Sequence, residues 1–237
     1  MRVDPFGDSA LIVTFDREIS IEVNQRVIAL YQKLKSNPTF NFLIPAYNSL
    51  TLGLSSNATS FEEASALIHQ NYSELADQDQ LITSSKTFVI PVCYAPDFSL
   101  DMDEVVLHTK ISQEEIIEYH TSQVYHVYML GFVAGFAYMG SLPKALDCPR
   151  KTTPRLKVPK GAVGLAGLQT GIYPAMAPGG WQIIGNTPIE MFNPENNPAS
   201  VLQPGDSVKF RAIGKEEYRF IQLKIETDIF EMEIAHV

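Results

Sequence analysis

The sequence predicts an α+β fold in two parts: a small N-terminal α+β sandwich layer, then a β-barrel or sandwich. Two observations carry this. Over about the first 80 residues, pairs of strand-like apolar runs alternate with single amphipathic helical runs, the pattern of helices laid on one side of a small antiparallel sheet. From His120 onward, short strand-like runs punctuated by turn residues dominate, as in barrels and sandwiches. The turn residues are also concentrated. Ten of the 14 glycines and seven of the 15 prolines lie between Gly131 and Pro188. With aromatics between them, they indicate fixed loops and short strands rather than a flexible linker.

Met1 to Phe15 reads as two strands around the turn Asp4-Pro5-Phe6-Gly7-Asp8, the second β-branched and apolar. Ser20 has N-cap chemistry. Val23, Val27, Leu30, Tyr31 and Leu34 then form one helical face. It ends before Asn37-Pro38, because proline disfavours helix in the residue ahead of it. Phe40 to Ile44 and Ser49 to Leu54 read as strands joined at Pro45-Ala-Tyr-Asn48. Ser60 with Glu63 is a capping box, and Phe61, Ala64, Ile68, Tyr72 and Leu75 make a second amphipathic face.

The polar stretches Ala76 to Gln80 and Thr83 to Lys86 set the expected domain boundary, with domains at 1–84 and 85–237. Thr87 to Cys93 is a strand whose Pro91 predicts an edge or a strand end. Asp101 with Glu104, and Ser112 with Glu115, carry the start signals of two short helices, the second ending near His120. Pro204-Gly205-Asp206 turns into an alternating strand, Ser207 to Ile213. Tyr218 to Glu226 and Ile229 to Ile234 are expected as a closing hairpin around Thr227-Asp228.

Composition narrows the function. With 45% apolar and 19% charged residues, the chain has an ordinary soluble make-up. A net charge of −9 argues against generic nucleic-acid binding, which favours basic faces. Two cysteines, Cys93 and Cys148, cannot build a disulfide framework and suit a reducing compartment. No charged segment leads into an apolar one at the start, and no apolar run reaches the ~18–20 residues of a membrane span. The expectation is a cytoplasmic protein without nucleic-acid or membrane partners. Against the acidic whole, Tyr119 to Ile189 holds six basic residues (Lys144, Arg150, Lys151, Arg155, Lys157 and Lys160) and one acid, Asp147. A local positive field on an acidic chain is an anion-binding signal; the plainer reading is a solvated basic loop.

Familiar catalytic motifs are missing. The histidines His69, His108, His120, His126 and His236 have no metal-ligand spacing, so no metal site is expected. Gly161 to Gly167 is glycine-rich but lacks the lysine and hydroxyl of a P-loop, and reads as a strand with small packing residues. There is no G-x-S-x-G. Cys93 reads as a buried thiol, and so does Cys148, although the adjacent Arg150 would lower its pKa if it were exposed.

The same block carries a resemblance. Its runs GFVAGFAYMG (Gly131 to Gly140), PRKTTPRLKVPKG (Pro149 to Gly161) and AGLQTGIYPAMAPGGWQIIGNTP (Ala166 to Pro188) resemble the KipI / allophanate hydrolase subunit 1 family, also known as the B subunits of 5-oxoprolinase (PxpB-like). FGDSAL at Phe6 to Leu11, PAYNSL at Pro45 to Leu50 and IPVCYAPDF at Ile90 to Phe98 extend it over nearly the whole chain. The chain departs from the family pattern at Ala134, Ala162 and Asn186, where proline, serine and arginine are usual.

The resemblance implies an α+β domain followed by a cyclophilin-like β-barrel. It also implies a subunit of an ATP-dependent 5-oxoprolinase, a lactam hydrolase that makes glutamate. ATP and magnesium would act at the level of the complex. This chain would be inactive without a KipA / allophanate hydrolase subunit 2-type partner, the C subunit of 5-oxoprolinase. Two alternatives are an inhibitor of a sensor histidine kinase and an allophanate- or urea-type amide hydrolase subunit.

Candidate site residues follow from residue chemistry. Arg150 and Arg155 can clamp a carboxylate or phosphate through paired donors. Gln169 and Thr170 offer neutral hydrogen bonds, Gly179 and Gly180 close backbone approach, and Trp181 and Phe136 apolar walls. Tyr173 and His120 are the candidate catalytic groups, with His126 a further proton-transfer candidate. For each histidine the plainer reading is a satisfied buried residue; for Trp181 and Tyr173 it is barrel core.

Overall fold

The structure, a computed structural model, describes residues 1–55, 60–76 and 86–235. The polar stretch expected at the domain boundary lies almost wholly outside the described residues, as does His236. The chain divides into two compact units, Met1–Ser84 and Ser85–Val237.

The first unit runs β1 (Arg2–Pro5), β2 (Ala10–Thr14), α1 (Ile21–Leu34), β3 (Phe40–Pro45), β4 (Ser49–Leu54) and α2 (Phe61–Ala76). The strands form one antiparallel sheet in the order β1-β2-β4-β3. Local chemistry starts both helices. The Ser20 hydroxyl accepts the Val23 N–H at 3.2 Å, and Ser60 and Glu63 exchange the reciprocal bonds of a capping box. Val23, Val27, Leu30 and Leu34 of α1 share one core with Ala64 and Ile68 of α2 and with Leu11, Val13, Leu50 and Leu52 of the sheet. Each fully buried aliphatic side chain of this kind stabilises by roughly 1.5–3 kcal/mol.

The second unit runs β5 (Thr87–Cys93), α3 (Met102–Thr109), α4 (Gln113–Ser122), β6 (Val124–Leu130), β7 (Ala137–Gly140), β8 (Arg155–Val158), β9 (Ala162–Ala166), β10 (Gln169–Ile172), β11 (Ala177–Gly179), β12 (Gln182–Asn186), β13 (Ser207–Ile213), α5 (Lys215–Glu226) and β14 (Ile234–Ala235). Seven strands close a barrel in the order β12-β9-β10-β7-β6-β13-β5, with Asn186 of β12 meeting Cys93 of β5 at the seam. β13 lies parallel to β5 along the whole of β5, and the other pairings are antiparallel. Ile90, Val127, Met139, Val163, Leu165 and Ile184 belong to the large core of this unit. β8 and β11 form a separate two-stranded ribbon. Its Val158 and Ala177 pack in a second cluster with Phe136, Tyr173, Trp181 and Ile183.

Two expectations are corrected, Pro91 and the closing hairpin, and a third, the helix start at Asp101, holds without its side-chain bond. Pro91 does not mark an edge: β5 is buried throughout and joins the barrel on both sides. Its second side is shared, with β14 meeting Thr87 and Phe88, and β12 meeting Cys93. Val89 donates its N–H to Glu233 on that side. By strand alternation, the N–H that Pro91 lacks would face the gap between the two partners. Tyr218 to Glu226 is helix, not hairpin. Tyr218 and Ile221 point inward with Ile225 partly covered, Glu216 and Glu217 fill the first turn, and Phe220 and Leu223 stay exposed. Over so short an apolar run a 3.6 period is easily mistaken for a period of two. Asp101 stands at the N-cap of α3 but makes no side-chain cap bond, because its carboxylate is engaged elsewhere. Ser112 and Glu115 do close the capping box of α4. Among the described residues, no helix is long and apolar enough to cross a membrane.

Candidate functional site

Six of the expected site residues converge. Phe136, Arg150, Tyr173, Gly179, Gly180 and Trp181 line one pocket with Phe132 and Tyr138. The sequence forms it by placing aromatics at the ends of barrel strands. Tyr138 lies in β7, Tyr173 follows β10 directly, and Trp181 immediately precedes β12. Phe136 is the hub, edge-to-face with Tyr138 at 4.9 Å, Tyr173 at 5.1 Å and Trp181 at 5.3 Å between ring centroids. Such pairs add roughly 0.5–1.5 kcal/mol each beyond their buried area. Phe132 forms the rim. It is exposed, sits at φ 65°, and turns its ring toward Phe136 and Tyr173. That conformation is costly for a bulky side chain.

The ribbon closes the other side. A Cβ at Gly179 would run into the Tyr173 hydroxyl, whereas one at Gly180 would meet its nearest atoms, Lys151 O and Pro154, only at 3.6 Å. Gly179→Ala is therefore expected to cost about 1–3 kcal/mol, as overpacking does, and Gly180→Ala less than about 0.5 kcal/mol. Thermal melts of the two variants check this; equal losses would remove the close seating of Tyr173 on the ribbon.

Electrostatics separate the candidates. The Arg150 guanidinium lies 5.9 Å from the Trp181 ring centroid, and no ion pair among the described residues includes it. Burial raises the Tyr173 pKa against the opposing effects of the Trp181 N–H and Arg150, so the phenol is a neutral hydrogen-bonding group near pH 7. The cavity is about 80 Å³, room for two or three waters at about 30 Å³ each. It takes one end of a small ligand rather than enclosing it.

Arg155 lies elsewhere. Its guanidinium grips the wholly buried Asp101 carboxylate with two bonds of 2.6 Å. Lys151 adds a bond to Asp101 at 2.9 Å and reaches Glu104 at 2.7 Å. Burial alone would raise the Asp101 pKa. Hydrogen bonds from Arg155, the Ile183 N–H and Lys151 outweigh it and hold the carboxyl below its ordinary range. The fork that Arg155 was expected to offer an anion is thus occupied by an internal one. In the sequence, Asp101 carries the same signal as a helix cap, which hides this second use of its carboxylate.

His120 and Thr170 meet each other, away from the pocket. Thr170 donates its hydroxyl to Gly164 O at 3.2 Å, so it accepts the Nε2–H of His120 at 3.0 Å, leaving Nδ1 to accept from the Tyr94 hydroxyl at 2.7 Å. The imidazole stacks on Phe210, is fully buried, and burial lowers its pKa to about 3. It is a neutral, doubly bonded core group, the plainer of the two readings. Burial also lowers His126, to about 4. Gln169 opens β10 opposite Ala166 and does not line the pocket.

Cys148 is the buried thiol that the sequence reading expects. Burial, then Asp147 and Asp101, push its pKa up to about 12. A thiol reagent at pH 8 is expected to leave native Cys148 unmodified and to react once the protein is unfolded; rapid reaction of the native thiol would contradict its burial. Among the described residues no three His, Cys, Asp or Glu side chains are grouped to hold a metal ion.

Comparison with known proteins gives the kinship. Residues 1–202 match the carboxyltransferase domain family, subdomains C and D. The chain is 39% identical to the B subunit of the 5-oxoprolinase of Bacillus subtilis, covering 92% of this chain and 95% of that one. The crystal structure of TTHA0988 is 32% identical with a TM-score of 0.76, over 86% of this chain and 40% of that one. Urea amidolyase of Kluyveromyces lactis, 18% identical with a TM-score of 0.77, covers 98% of this chain and 16% of the enzyme, a likeness of fold alone. The chain thus spans under half the length of these two solved structures and nearly all of the Bacillus subtilis subunit.

Proposed function

The chain belongs to the family of 5-oxoprolinase B subunits, and on that premise we propose that it is part of an ATP-dependent 5-oxoprolinase. With a KipA-type partner (the C subunit of 5-oxoprolinase), it would open the 5-oxoproline lactam to glutamate. One observation carries the reading: Arg150, in no ion pair among the described residues, faces an open pocket walled by Trp181, Phe136, Tyr138 and Tyr173. 5-Oxoproline is a small flat ring bearing a carboxylate. Arg150 would take the carboxylate through charge-assisted hydrogen bonds, and the aromatic wall the ring.

The lactam is an unstrained amide and resists water, so coupling to ATP is chemically sensible. The pocket does not fit a magnesium nucleotide, however. It has no carboxylate for the metal and no cation besides Arg150, and the glycine-rich stretch is strand β9 rather than a phosphate loop. The part of this chain is therefore to bind and orient the substrate, with nucleotide and proton-transfer groups supplied in the complex. The small volume of the pocket and the longer polypeptide of TTHA0988 support a site completed by other protein.

The test is co-expression with the partner subunits, purification, and measurement of glutamate released from 5-oxoproline with and without ATP. ATP-dependent glutamate supports the proposal. No turnover from a complex that forms would overturn it, in favour of another amide or of the kinase-inhibitor reading.

A further inference from the structure

We propose that Asp101 is the positioning residue of the Arg150 pocket. Its buried carboxylate draws Lys151 and Arg155 together and so fixes the backbone from which Arg150 reaches over Trp181. The Asp101 side chain is fully enclosed. Its oxygens accept from both terminal nitrogens of Arg155 at 2.6 Å, from Lys151 Nζ at 2.9 Å and from the Ile183 N–H at 2.8 Å. Each donor belongs to a different part of the pocket frame. Lys151 directly follows Arg150, and its N–H donates to Gly180 O at 2.7 Å. Arg155 is the ribbon partner of Gly179. Ile183 lies two residues beyond Trp181, and its carbonyl accepts the Asp101 N–H at 2.8 Å. One carboxylate therefore holds the residue after the pocket cation, the partner of the pocket glycine and the strand behind the indole.

Charge explains why an acid is needed. Lys151 and Arg155 repel each other, and only an anion between them holds both. Asp101, together with Glu104 on Lys151, balances these two cations, and neither acid forms an ion pair with Arg150, whose charge stays available to the pocket. The inference deepens the anion-site reading above and takes its functional meaning from it, but it is tested without any reaction.

Trp181 is the single tryptophan of the chain, so its fluorescence reports this pocket alone. Iodide, an anion, and acrylamide, neutral, quench it; their ratio senses the local cation while acrylamide corrects for exposure. Arg150→Gln sets the value without that cation. Asp101→Asn removes a negative charge, so a field effect alone would raise iodide quenching, whereas loss of Arg150 from its place lowers it. The expected result is a fall of about twofold in the iodide-to-acrylamide ratio, to the Arg150→Gln level. Arg155→Lys keeps the charge but loses the fork; it is expected to lower the ratio too, and decides alone if Asp101→Asn does not fold. Leu146→Ala, a core truncation, is the stability control and is expected to leave the ratio unchanged. A ratio equal to or above wild type in Asp101→Asn and Arg155→Lys, or an equal fall in Leu146→Ala, overturns the proposal. Because iodide needs no turnover, failure of the oxoprolinase reading is seen separately.

Discussion

Replacing Arg150 with glutamine is expected to lower kcat/KM for 5-oxoproline in the co-purified complex about 100-fold and to leave folding intact. The magnitude is that of losing one hydrogen-bonded charge pair, roughly 1.5–3 kcal/mol, with a tenfold change for every 1.4 kcal/mol. Folding should be spared because the guanidinium is in no ion pair among the described residues and rests over Trp181 at the open pocket. Arg155→Gln gives the contrast. It removes two donors from a buried carboxylate, so its first effect falls on stability. Steady-state kinetics with thermal melts separate the two. A kcat/KM within threefold of wild type for Arg150→Gln would remove Arg150 from the site.

Asp101→Asn is expected to be the most destabilising single polar change in the second unit, by about 3 kcal/mol. Breaking one side of a buried ion pair costs about 3–5 kcal/mol. The lower end applies here because Lys151 and Arg155 keep 15% and 26% of their side-chain surface exposed and regain some hydration. For a unit of this size each kcal/mol moves Tm by about 2–4 °C, so a fall near 10 °C is expected at pH 7. Asp101 titrates below its ordinary range in the folded protein. The stabilisation from its charge is complete above the unfolded-state value of about 3.9 and is lost as the pH falls through the lower folded value. The gap between wild type and Asp101→Asn should therefore be full at pH 7 and shrink below about pH 4. Chemical denaturation at the two pH values checks this, and an unchanged gap at low pH would contradict the ionic account.

What was legible in the sequence followed from local rules. Ser20, Ser60 with Glu63, and Ser112 with Glu115 announce their helices because capping is decided within four residues. The clustering of glycine, proline and aromatics found Tyr173, Gly179, Gly180 and Trp181, and at Gly179 it marks close approach of backbone to the Tyr173 ring. Charge counting found the cations but could not divide them. Arg150 and Arg155 look alike in sequence, and only Asp101, 54 residues from Arg155 along the chain, tells them apart. For His120 the plainer reading, a satisfied buried residue, was legible, but its partners were not: Tyr94, just after β5, and Thr170 of β10 lie far from it along the chain. Pro91 misled because an edge rule assumes one partner per side, and β5 has two sharing one side.

The central claim, that the Arg150 pocket receives the carboxylate of a small lactam acid, is tested most directly by titration. 5-Oxoproline and its uncharged analogue 2-pyrrolidinone would each be added while the emission of Trp181 is followed, in wild type and in Arg150→Gln. The account predicts a saturable change with the acid, little with the analogue, and loss of the change in Arg150→Gln. An equal response to both ligands, or a full response in Arg150→Gln, would contradict it.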